Sequence, residues 1–308
     1  MAHVIITGGT GLVGRRLATQ LAGAGYQVSI LTRRPQAARS WHSAIRFAGW
    51  DVAAGTLDTD VLATADAIVH LAGAGVVDKS WTPAYKQEIV DSRVQSAGLI
   101  AKSLATHPNR VKVVVSASAI GWYGADADGA VPFEETAPAD TGFLGETCRL
   151  WEEAMAPVAQ LGKRLVYTRI GIVMAIEGGA LPQFKNSLKF RVAGIIGSGS
   201  QVVSWIHIDD LCGIIRYAIE NEALTGAYNA VAPSPVSNRE LNLALGRAMY
   251  GKWFLALPVP RFVLQLMLGE RSIEVLKSTT VSAKKITAAG YHFRYSTINE
   301  AMEQLVLG

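Results

Sequence analysis

The stretch that decides the fold runs from His3 to Gly14 and reads HVIITGGTGLVG. It begins with a short β-branched run, which is typical of a strand buried on both faces. A glycine-rich turn follows, made of Gly8, Gly9, Thr10, Gly11, Leu12, Val13 and Gly14. Arg15 to Ala24 then reads as a helix, with Leu17 and Leu21 on one face. Glycines in this context let backbone N–H groups approach a pyrophosphate at the positive end of a helix. The stretch therefore predicts a dinucleotide-binding turn, and the alternative is a turn that serves packing alone.

A second predicted strand, Gln27 to Leu31, runs into Thr32, Arg33 and Arg34. In a Rossmann fold this strand end meets the adenosine ribose, where an acidic residue favours NAD and an arginine accommodates the 2′-phosphate of NADP. No carboxylate stands here, so the sequence predicts NADP, with Arg33 pairing the phosphate and Arg34 in support. The alternative is a solvated basic turn.

Two further predicted strands extend the same pattern. Ile45 to Trp50 ends in Asp51, which we expect at the adenine edge of the cofactor. Ala67 to Leu71 ends in Ala72 and Gly73, which are small enough to let the cofactor pass close to the backbone. Strands that alternate with helical segments predict an α/β protein with a Rossmann doubly wound parallel sheet.

Length and composition bound the class of protein. The chain has 308 residues, half of them hydrophobic, which suits a folded protein of about two domains. We expect an NADP-binding Rossmann domain over 1–170 and a smaller C-terminal substrate lobe over 171–308, with segments returning to the core sheet. The net charge of +4 comes from dispersed Lys and Arg, so nucleic acid is not an expected partner.

Neither a signal peptide nor a membrane span is evident in the sequence, so no membrane partner is expected. The two cysteines, Cys148 and Cys212, suit a reducing compartment, and the expected location is cytoplasmic. No metal site is expected, because His207 has no second histidine at ligand spacing.

Blocks that carry a family resemblance run in order along nearly the whole chain. They are the glycine turn, His70 to Gly73, Lys79 to Thr82, Ser116 to Gly124, Trp151-Glu152, Gly178 to Leu181, Ile196 to Gly199, Trp205 to Asp210 and Asn229 to Pro233. With these residues the chain resembles an extended or atypical short-chain dehydrogenase/reductase. More narrowly, it resembles the NADP-binding epimerase family of the nucleoside-diphosphate-sugar epimerase type.

The resemblance implies a set of cofactor contacts. They are the glycine turn, Thr32, Arg33, Leu71, Ala72, Glu88, Arg93 and Ile172. Arg93 also has a physical motive, because it falls on the apolar side of a helix predicted over Thr82 to Thr106, where an unpaired charge is costly. A phosphate or ribose partner explains it, and so does an ion pair with Glu88 or another acid.

The resemblance also implies a catalytic pattern, a Ser or Thr after the fifth strand with a Tyr-x-x-x-Lys pair on the next helix. Ser118, after the predicted strand Val111 to Val115, is the candidate hydroxyl. The next helix is predicted over Phe143 to Leu161. Counting back from Glu152 puts Leu144 and Cys148 at the Tyr and Lys positions of this helix, where neither can do that chemistry. Tyr123 is the candidate substitute acid, and the alternative is an aromatic that lines the pocket.

The C-terminal half offers fewer signals. Asp209 is expected to cap the helix that follows it, and His207, Asp209 and Asp210 are expected to be structural. The apolar run Phe262 to Leu268 predicts either packing within the lobe or a contact in a homodimer. A last helix, Ile298 to Leu307, is expected to dock on the body.

The sequence thus predicts an NADP-dependent oxidoreductase or epimerase acting on a nucleotide sugar or another small carbonyl or alcohol substrate. The rival hypothesis is an NADP-binding regulatory or scaffold protein that has lost catalysis.

Overall fold

The computed structural model describes residues 2–127 and 131–308, apart from the side chain of Met267. In chain order the strands are β1 (His3–Thr7), β2 (Gln27–Thr32), β3 (Ile45–Asp51), β4 (Thr56–Leu57), β5 (Ala67–His70), β6 (Val113–Ala119), β7 (Arg164–Ile170), β8 (Ile172–Ala175), β9 (Gly178–Gly179), β10 (Val192–Ile196), β11 (Val202–Val203), β12 (Trp205–His207), β13 (Gly226–Ala230), β14 (Val236–Ser237) and β15 (Leu255–Val259). The α-helices are α1 (Leu12–Gly23), α2 (Thr59–Thr64), α3 (Pro83–Thr106), α4 (Phe143–Met155), α5 (Pro157–Gln160), α6 (Leu181–Leu188), α7 (Ile208–Glu220), α8 (Asn238–Tyr250), α9 (Arg261–Leu268), α10 (Ser272–Leu276), α11 (Lys284–Ala288) and α12 (Ile298–Leu307).

The centre of the molecule is an eight-stranded sheet in the order β13-β7-β6-β5-β1-β2-β3-β4. All its neighbours pair in parallel except β3 with the short strand β4. From β1 the sheet continues through β2 and β3 on one side and through β5 and β6 on the other. The direction in which the strands follow one another therefore changes between β1 and β5. The carboxyl ends of these two strands flank the crevice where open α/β sheets bind ligands. The predicted Rossmann sheet is confirmed.

The alternation of β1 explains why the sheet is covered on both faces. Val4 and Ile6 belong to one hydrophobic core, which includes residues of α1 and α7. Ile5 belongs to a second core on the opposite face, built with residues of α3 and α4. A strand buried on both faces reads as a continuous apolar run, which is what the sequence shows.

Three boundaries differ from the sequence prediction. Helix α1 begins at Leu12, three residues before Arg15, because Leu12, Val13 and Gly14 of the turn already belong to the helix and Gly11 is its N-cap. Strand β6 continues to Ala119, so Ser118 lies within the strand rather than after it. The helix predicted over Phe143 to Leu161 divides into α4 and α5, because Pro157 has no N–H for the helical ladder and starts a new turn.

The residues after Gly171 form small sheets around a third core. Strand β12 pairs with β8 and β8 with β9, β10 pairs with β15, and β11 with β14. The core contains side chains from α6, α8 and α12, among them Leu188, Leu245 and Met302. Helix α12 docks on the body of the protein, as the sequence predicted, and the helix it contacts there is α8. Strand β13 leaves this region and completes the large sheet beside β7.

No helix in the described part of the chain has the length and apolar character needed to cross a bilayer.

Candidate functional site

The glycine turn connects β1 to α1 in a conformation that side chains would obstruct. Gly8 has φ +68°, and a Cβ on it would lie 2.8 Å from the carbonyl carbon of Leu71. A Cβ on Gly14 would lie 2.3 Å from the oxygen of Gly8. Gly11 is the N-cap of α1, which has no side-chain cap and no acidic residue in its first turn. The first N–H groups of α1 are therefore left for an anionic ligand, and the cradle fits a pyrophosphate.

The end of β2 presents two exposed cations. Arg33 and Arg34 are both exposed, and neither forms an ion pair with another described residue. The hydroxyl of Thr32 lies between the strand and these arginines and accepts a long 3.4 Å hydrogen bond from the N–H of Arg34. The arrangement suits a phosphate beside the strand end.

Asp51 is the last residue of β3, which ends at the same edge of the sheet as β2 because the two strands are parallel. Its carboxylate accepts a 3.1 Å hydrogen bond from the N–H of Ala54 in the turn between β3 and β4. The side chain is exposed and keeps a second oxygen for another donor. Its part in holding adenine stays a prediction.

A hydrogen-bonded chain ties β1 to β5 beneath the glycine turn. Thr7 Oγ1 lies 3.2 and 3.3 Å from the N–H groups of Leu71 and Ala72, which donate to it, and 2.7 Å from Nδ1 of His70. Because Thr7 already accepts, its proton goes to Nδ1, and Nε2–H of His70 faces Ser96 at 3.3 Å. Burial, assisted by the charge of Arg93, lowers the pKa of His70 to about 3. His70 is therefore neutral and holds Leu71 and Ala72 in place.

Arg93 lies where α3 passes the end of β5. Its Nη1 donates to the carbonyl oxygens of Ala74 and Ile89 at 3.0 and 2.9 Å. A Cβ on Gly73 would lie 3.2 Å from the Arg93 side chain, so glycine at this position lets Arg93 pack closely against the backbone. Burial lowers the pKa of Arg93, and no acid among the described residues pairs with it.

Glu88 lies one turn before Arg93 but pairs with another cation. Its Oε2 is 3.1 Å from Nζ of Lys79, and both side chains are largely exposed. The alternative in which Glu88 neutralises Arg93 is therefore wrong. The donors of Arg93 that are not bonded to Ala74 or Ile89 remain for a ligand.

Ser118 lies on β6 at the same edge of the sheet. It is buried, and its Oγ has no hydrogen-bond partner among the described residues. Cys148 on α4 lies beside it, with its thiol donating weakly to the carbonyl oxygen of Ala119 at 3.7 Å. Burial raises the pKa of the Cys148 thiol to about 11, so it stays protonated and is a poor nucleophile.

An unpartnered buried hydroxyl is unusual, since buried polar groups in folded proteins are nearly always hydrogen-bonded. Nε1 of Trp151, one turn after Cys148 on α4, is a second such group. Trp151 packs edge-on against His70, the last residue of β5, and Ser118 lies near the end of β6. Ser118 is thus a buried hydroxyl without a described partner near the end of β6, and its catalytic role stays a prediction.

Tyr123 is placed differently from its prediction as a substitute acid. Its ring is fully buried and stacks on Phe133, with the centroids 5.1 Å apart. Its hydroxyl donates to Oδ1 of Asn229 at 2.7 Å and accepts from Nη1 of Arg169 at 3.1 Å. Burial raises the pKa of the phenol. Because Asn229 and Arg169 already occupy both sides of the hydroxyl, this geometry disagrees with Tyr123 as a substitute acid and also with Tyr123 as an aromatic that lines the pocket.

The sequence analysis missed the buried ion pair that supports this region. Arg169 on β7 donates from Nε and Nη2 to the two carboxylate oxygens of Glu152 on α4, at 2.9 and 3.1 Å. The guanidinium also lies 3.6 Å from the ring centroid of Trp122. Glu152 follows Cys148 by one turn on a buried helix face. A carboxylate at a buried position was the sequence signal from which an ion pair could have been predicted.

The His207 cluster is structural, but its cap is not the predicted one. His207 is the N-cap of α7, and its Nδ1 accepts from the N–H of Asp209 at 3.1 Å. The expectation that Asp209 is the cap is wrong, because its carboxylate instead takes two hydrogen bonds from Arg16 on α1, at 2.6 and 2.9 Å. Asp210 accepts from backbone N–H groups of Arg294 and Tyr295.

The strands after β7 reach back to the glycine turn. Ile172 opens β8 and is 39% exposed, which leaves its side chain accessible at the carboxyl end of the sheet. Gly178 and Gly179 form β9, and a Cβ on either would lie 3.4 Å from the side chain of Leu12. The second half of the chain therefore packs directly against the turn that begins α1.

The fold and this edge together define a Rossmann-type α/β protein with a glycine cradle for a dinucleotide. Residues 4–144 match the NAD dependent epimerase/dehydratase family, and residues 259–305 match a domain of unknown function, DUF1731. The epimerase family protein YfhF of Bacillus subtilis is 33% identical over 304 residues, which cover 99% of this chain and 98% of the relative. The chain belongs to the epimerase family.

Two solved structures agree with this assignment. The crystal structure of human epimerase family protein SDR39U1 (isoform 2) with NADPH has a TM-score of 0.85 and 28% identity, covering 99% of each chain. The nucleoside-diphosphate sugar epimerase from Corynebacterium glutamicum has a TM-score of 0.76 and 32% identity, covering 99% of this chain and 58% of that one.

Proposed function

We propose that this chain is an NADP-dependent oxidoreductase or epimerase that acts on a carbonyl or alcohol carbon of a small substrate. The observation that carries the proposal is Arg33, exposed and without an ion pair in the described chain, at the strand end that reads the adenosine ribose. No carboxylate accompanies it there, as an NAD site would require. The NADPH bound to human SDR39U1 supports the same cofactor.

The remaining cofactor contacts follow from the edge of the sheet. The uncapped start of α1 would hold the pyrophosphate with backbone N–H groups. Leu71, Ala72 and Gly73 would lie along the cofactor, with Arg93 donating to a ribose or phosphate oxygen. Ile172 would pack against it from the other half of the chain. Glu88, paired with Lys79, would contact the cofactor from the exposed rim of the site.

The bound nicotinamide supplies the redox chemistry, and the protein supplies position and charge. Ser118 would donate a hydrogen bond to the substrate oxygen, because its Oγ has no described partner at this edge. Arg93 would add positive charge in place of the lysine that Cys148 replaces, since the two side chains lie close enough to interact. Tyr123 would hold the β6 end from within the core rather than touch the substrate.

The proposal for the substrate class rests on the names of related proteins. The Corynebacterium glutamicum protein is a nucleoside-diphosphate sugar epimerase by name, so a nucleotide sugar is the first class of compound to screen. Other small carbonyl and alcohol compounds follow.

A second candidate function is regulatory NADP binding without catalysis. The observation that favours it is the pair Leu144 and Cys148, which stand where proton-transfer residues are needed, with the Cys148 pKa raised to about 11. An active oxidoreductase loses NADPH-dependent turnover in the Ser118→Ala variant while it keeps NADPH binding. A regulatory protein binds NADPH and turns over no compound of the screen.

The first experiment is a fluorescence titration of the purified chain with NADPH and with NADH. We expect a preference for NADPH, and a loss of about tenfold or more in NADPH affinity in the Arg33→Ala variant, because a charge-assisted bond to phosphate disappears. Arg39→Ala is the matched control, because it removes another exposed cation from the segment that connects β2 to β3. Its affinity for NADPH should be unchanged. Equal affinity for the two nucleotides, or no binding of either, contradicts the proposal.

A further inference from the structure

Two segments of the second half of the chain contain cations and no acids. Residues 178–208 hold Lys185, Lys189 and Arg191 without any Asp or Glu. Residues 241–269 hold Arg247, Lys252 and Arg261, again without any Asp or Glu. Because the whole chain has a net charge of only +4, the remainder is slightly acidic, and the positive charge is concentrated in these two segments.

The fold joins the two segments into one surface. Strand β10 pairs in parallel with β15, with Val192 opposite Leu255. The N–H of Leu255 donates to the carbonyl oxygen of Arg191, and the N–H of Gly197 donates to that of Val259, both at 2.9 Å. A Cβ on Gly197 would lie 3.0 Å from Nε of Arg261, so the start of α9 also adjoins β10. We call residues 189–196 and 251–266 the basic apolar surface.

Large apolar side chains project from this surface into solvent. The most exposed are Phe190 (83%), Trp253 (78%), Leu255 (66%), Leu257 (48%), Phe262 (67%) and Leu266 (86%). Trp253, Leu255 and Leu257 alternate along the chain into β15, and Phe262 and Leu266 are one turn apart on α9. Exposed apolar groups concentrated in this way mark an interaction surface.

The cations among these side chains are not neutralised within the protein. Lys189, Arg191, Lys252 and Arg261 are exposed, and none forms an ion pair with another described residue. Arg191 lies over the ring of Tyr250, 5.1 Å from its centroid, and keeps its charge. The positive field of the surface therefore reaches the solvent.

We propose that the basic apolar surface binds the anionic lipid surface of a membrane. Lys and Arg attract acidic headgroups, while Trp, Phe and Leu side chains enter the boundary between headgroups and acyl chains. Helix α9 has eight residues and lies on the surface rather than crossing the bilayer. Charge excludes a second copy as the favoured occupant, because a symmetric contact brings the same cations face to face. The sequence alone led us to expect no membrane partner, because no signal peptide or membrane span is evident in it. The two basic segments are distant along the chain and come together only in the fold.

The test is flotation of the full chain with vesicles of phosphatidylcholine alone and with vesicles containing one third phosphatidylglycerol. We expect binding to the anionic vesicles only, weakening as salt is added. The triple variant Lys189→Gln, Lys252→Gln, Arg261→Gln should partition roughly a hundredfold less, since each cation near such a surface contributes about a factor of five. The double variant Trp253→Ser, Leu266→Ser should also lose binding, by tenfold or more.

Two matched variants serve as controls. Arg46→Gln, Lys102→Gln, Lys112→Gln removes the same total charge from exposed positions elsewhere and should bind like the native chain. Val77→Ser, Val131→Ser removes two side chains that are 75% and 82% exposed and should also bind normally. All the substituted side chains, in the test variants and in the controls, are exposed, so thermal unfolding should be unchanged throughout.

The opposing outcomes are distinct. No flotation with anionic vesicles, or equal loss in the charge control, overturns the proposal. So does a dimer in sedimentation that Trp253→Ser, Leu266→Ser dissociates without any flotation, because a second copy is then the occupant. Binding of single-stranded RNA through the same cations, again without flotation, overturns it in favour of nucleic acid. None of these results bears on the NADPH titration, which tests a different edge of the molecule.

Discussion

The guanidinium of Arg93 lies over the indole of Trp151, 5.0 Å from the ring centroid. The aromatic face stabilises the cation without neutralising it, and no acid among the described residues does so. Beside this pair, Ser118 Oγ and Trp151 Nε1 have no hydrogen-bond partner in the described chain. The carboxyl edge of the sheet thus holds a charge without an ion-pair partner and two polar groups without hydrogen-bond partners among the described residues.

The Arg93→Met variant should separate binding from stability. We expect NADPH affinity to fall by about tenfold, because a charge-assisted hydrogen bond is lost. The free energy of unfolding should change by less than about 1 kcal/mol, because removing a half-buried cation relieves its desolvation and offsets the lost backbone bonds. A fluorescence titration and urea unfolding measure the two quantities.

Arg164 offers the matched control for Arg93. It donates to the carbonyl oxygens of Ala218, Ile219 and Leu224 and so closes the end of α7, far from the glycine turn. Arg164→Met should lower stability and leave NADPH binding intact. If Arg93→Met behaves in the same way, Arg93 has only a structural role.

The Tyr123→Phe variant should be a stability variant. Removing the hydroxyl leaves Oδ1 of Asn229 and a donor of Arg169 without a partner in the core, which costs about 1–3 kcal/mol. Tyr228→Phe is the control, because the Tyr228 hydroxyl forms no hydrogen bond with described residues and its loss should have little effect. Urea unfolding gives the difference. A fully stable Tyr123→Phe that abolishes NADPH-dependent turnover would restore Tyr123 as a proton donor.

Stability should fall with acid through His70. An unfolded imidazole binds a proton below about pH 6.5, whereas folded His70 stays neutral down to about pH 3. Between these values the unfolded state gains the proton, so the free energy of unfolding falls by about 1.4 kcal/mol per pH unit from this group. The contribution is fully present above pH 6.5 and decreases toward pH 3.

Urea unfolding across this range checks the His70 prediction. His3 and His207, whose pKa values burial also lowers, add slope in the same direction, so the informative quantity is a difference between variants. His70→Gln should flatten the dependence, although its overall stability is lower. His292→Gln, at an exposed position, should leave the dependence as it is. Parallel curves for all three proteins would contradict a neutral buried His70.

Local signals predicted those parts of the molecule that local chemistry controls. The β-branched run His3–Thr7 and the glycines after it specify a strand and a turn whatever lies around them. Helix α12 has its predicted bounds, because Thr297 and Glu300 form a capping box at its start. The glycine turn after the first strand and the arginines after the second likewise predicted the edge of the sheet at which the cofactor is expected.

Other features depend on partners that the chain brings from far away. Asp209 was a plausible cap by sequence, but Arg16 on α1 engages its carboxylate, and His207 takes the cap instead. The sequence suggested Tyr123 as a substitute acid or as an aromatic that lines the pocket, because no neighbouring residue marks Asn229 and Arg169 as its partners. Burial of a polar group is a property of the packed core, and sequence position alone does not reveal it.

The sequence by itself determined the class of this protein, because backbone freedom at glycine and the alternation of apolar residues act over a few neighbouring positions. Only the tertiary structure decided which polar groups are left without partners and which charges share a surface. Ser118 Oγ has no hydrogen-bond partner among the described residues, and α4 brings the thiol of Cys148, rather than a basic group, beside it. The cations of residues 189–191 and 252–261 lie on one surface because β10 pairs with β15. Such long-range pairings are set by the packing of the whole chain.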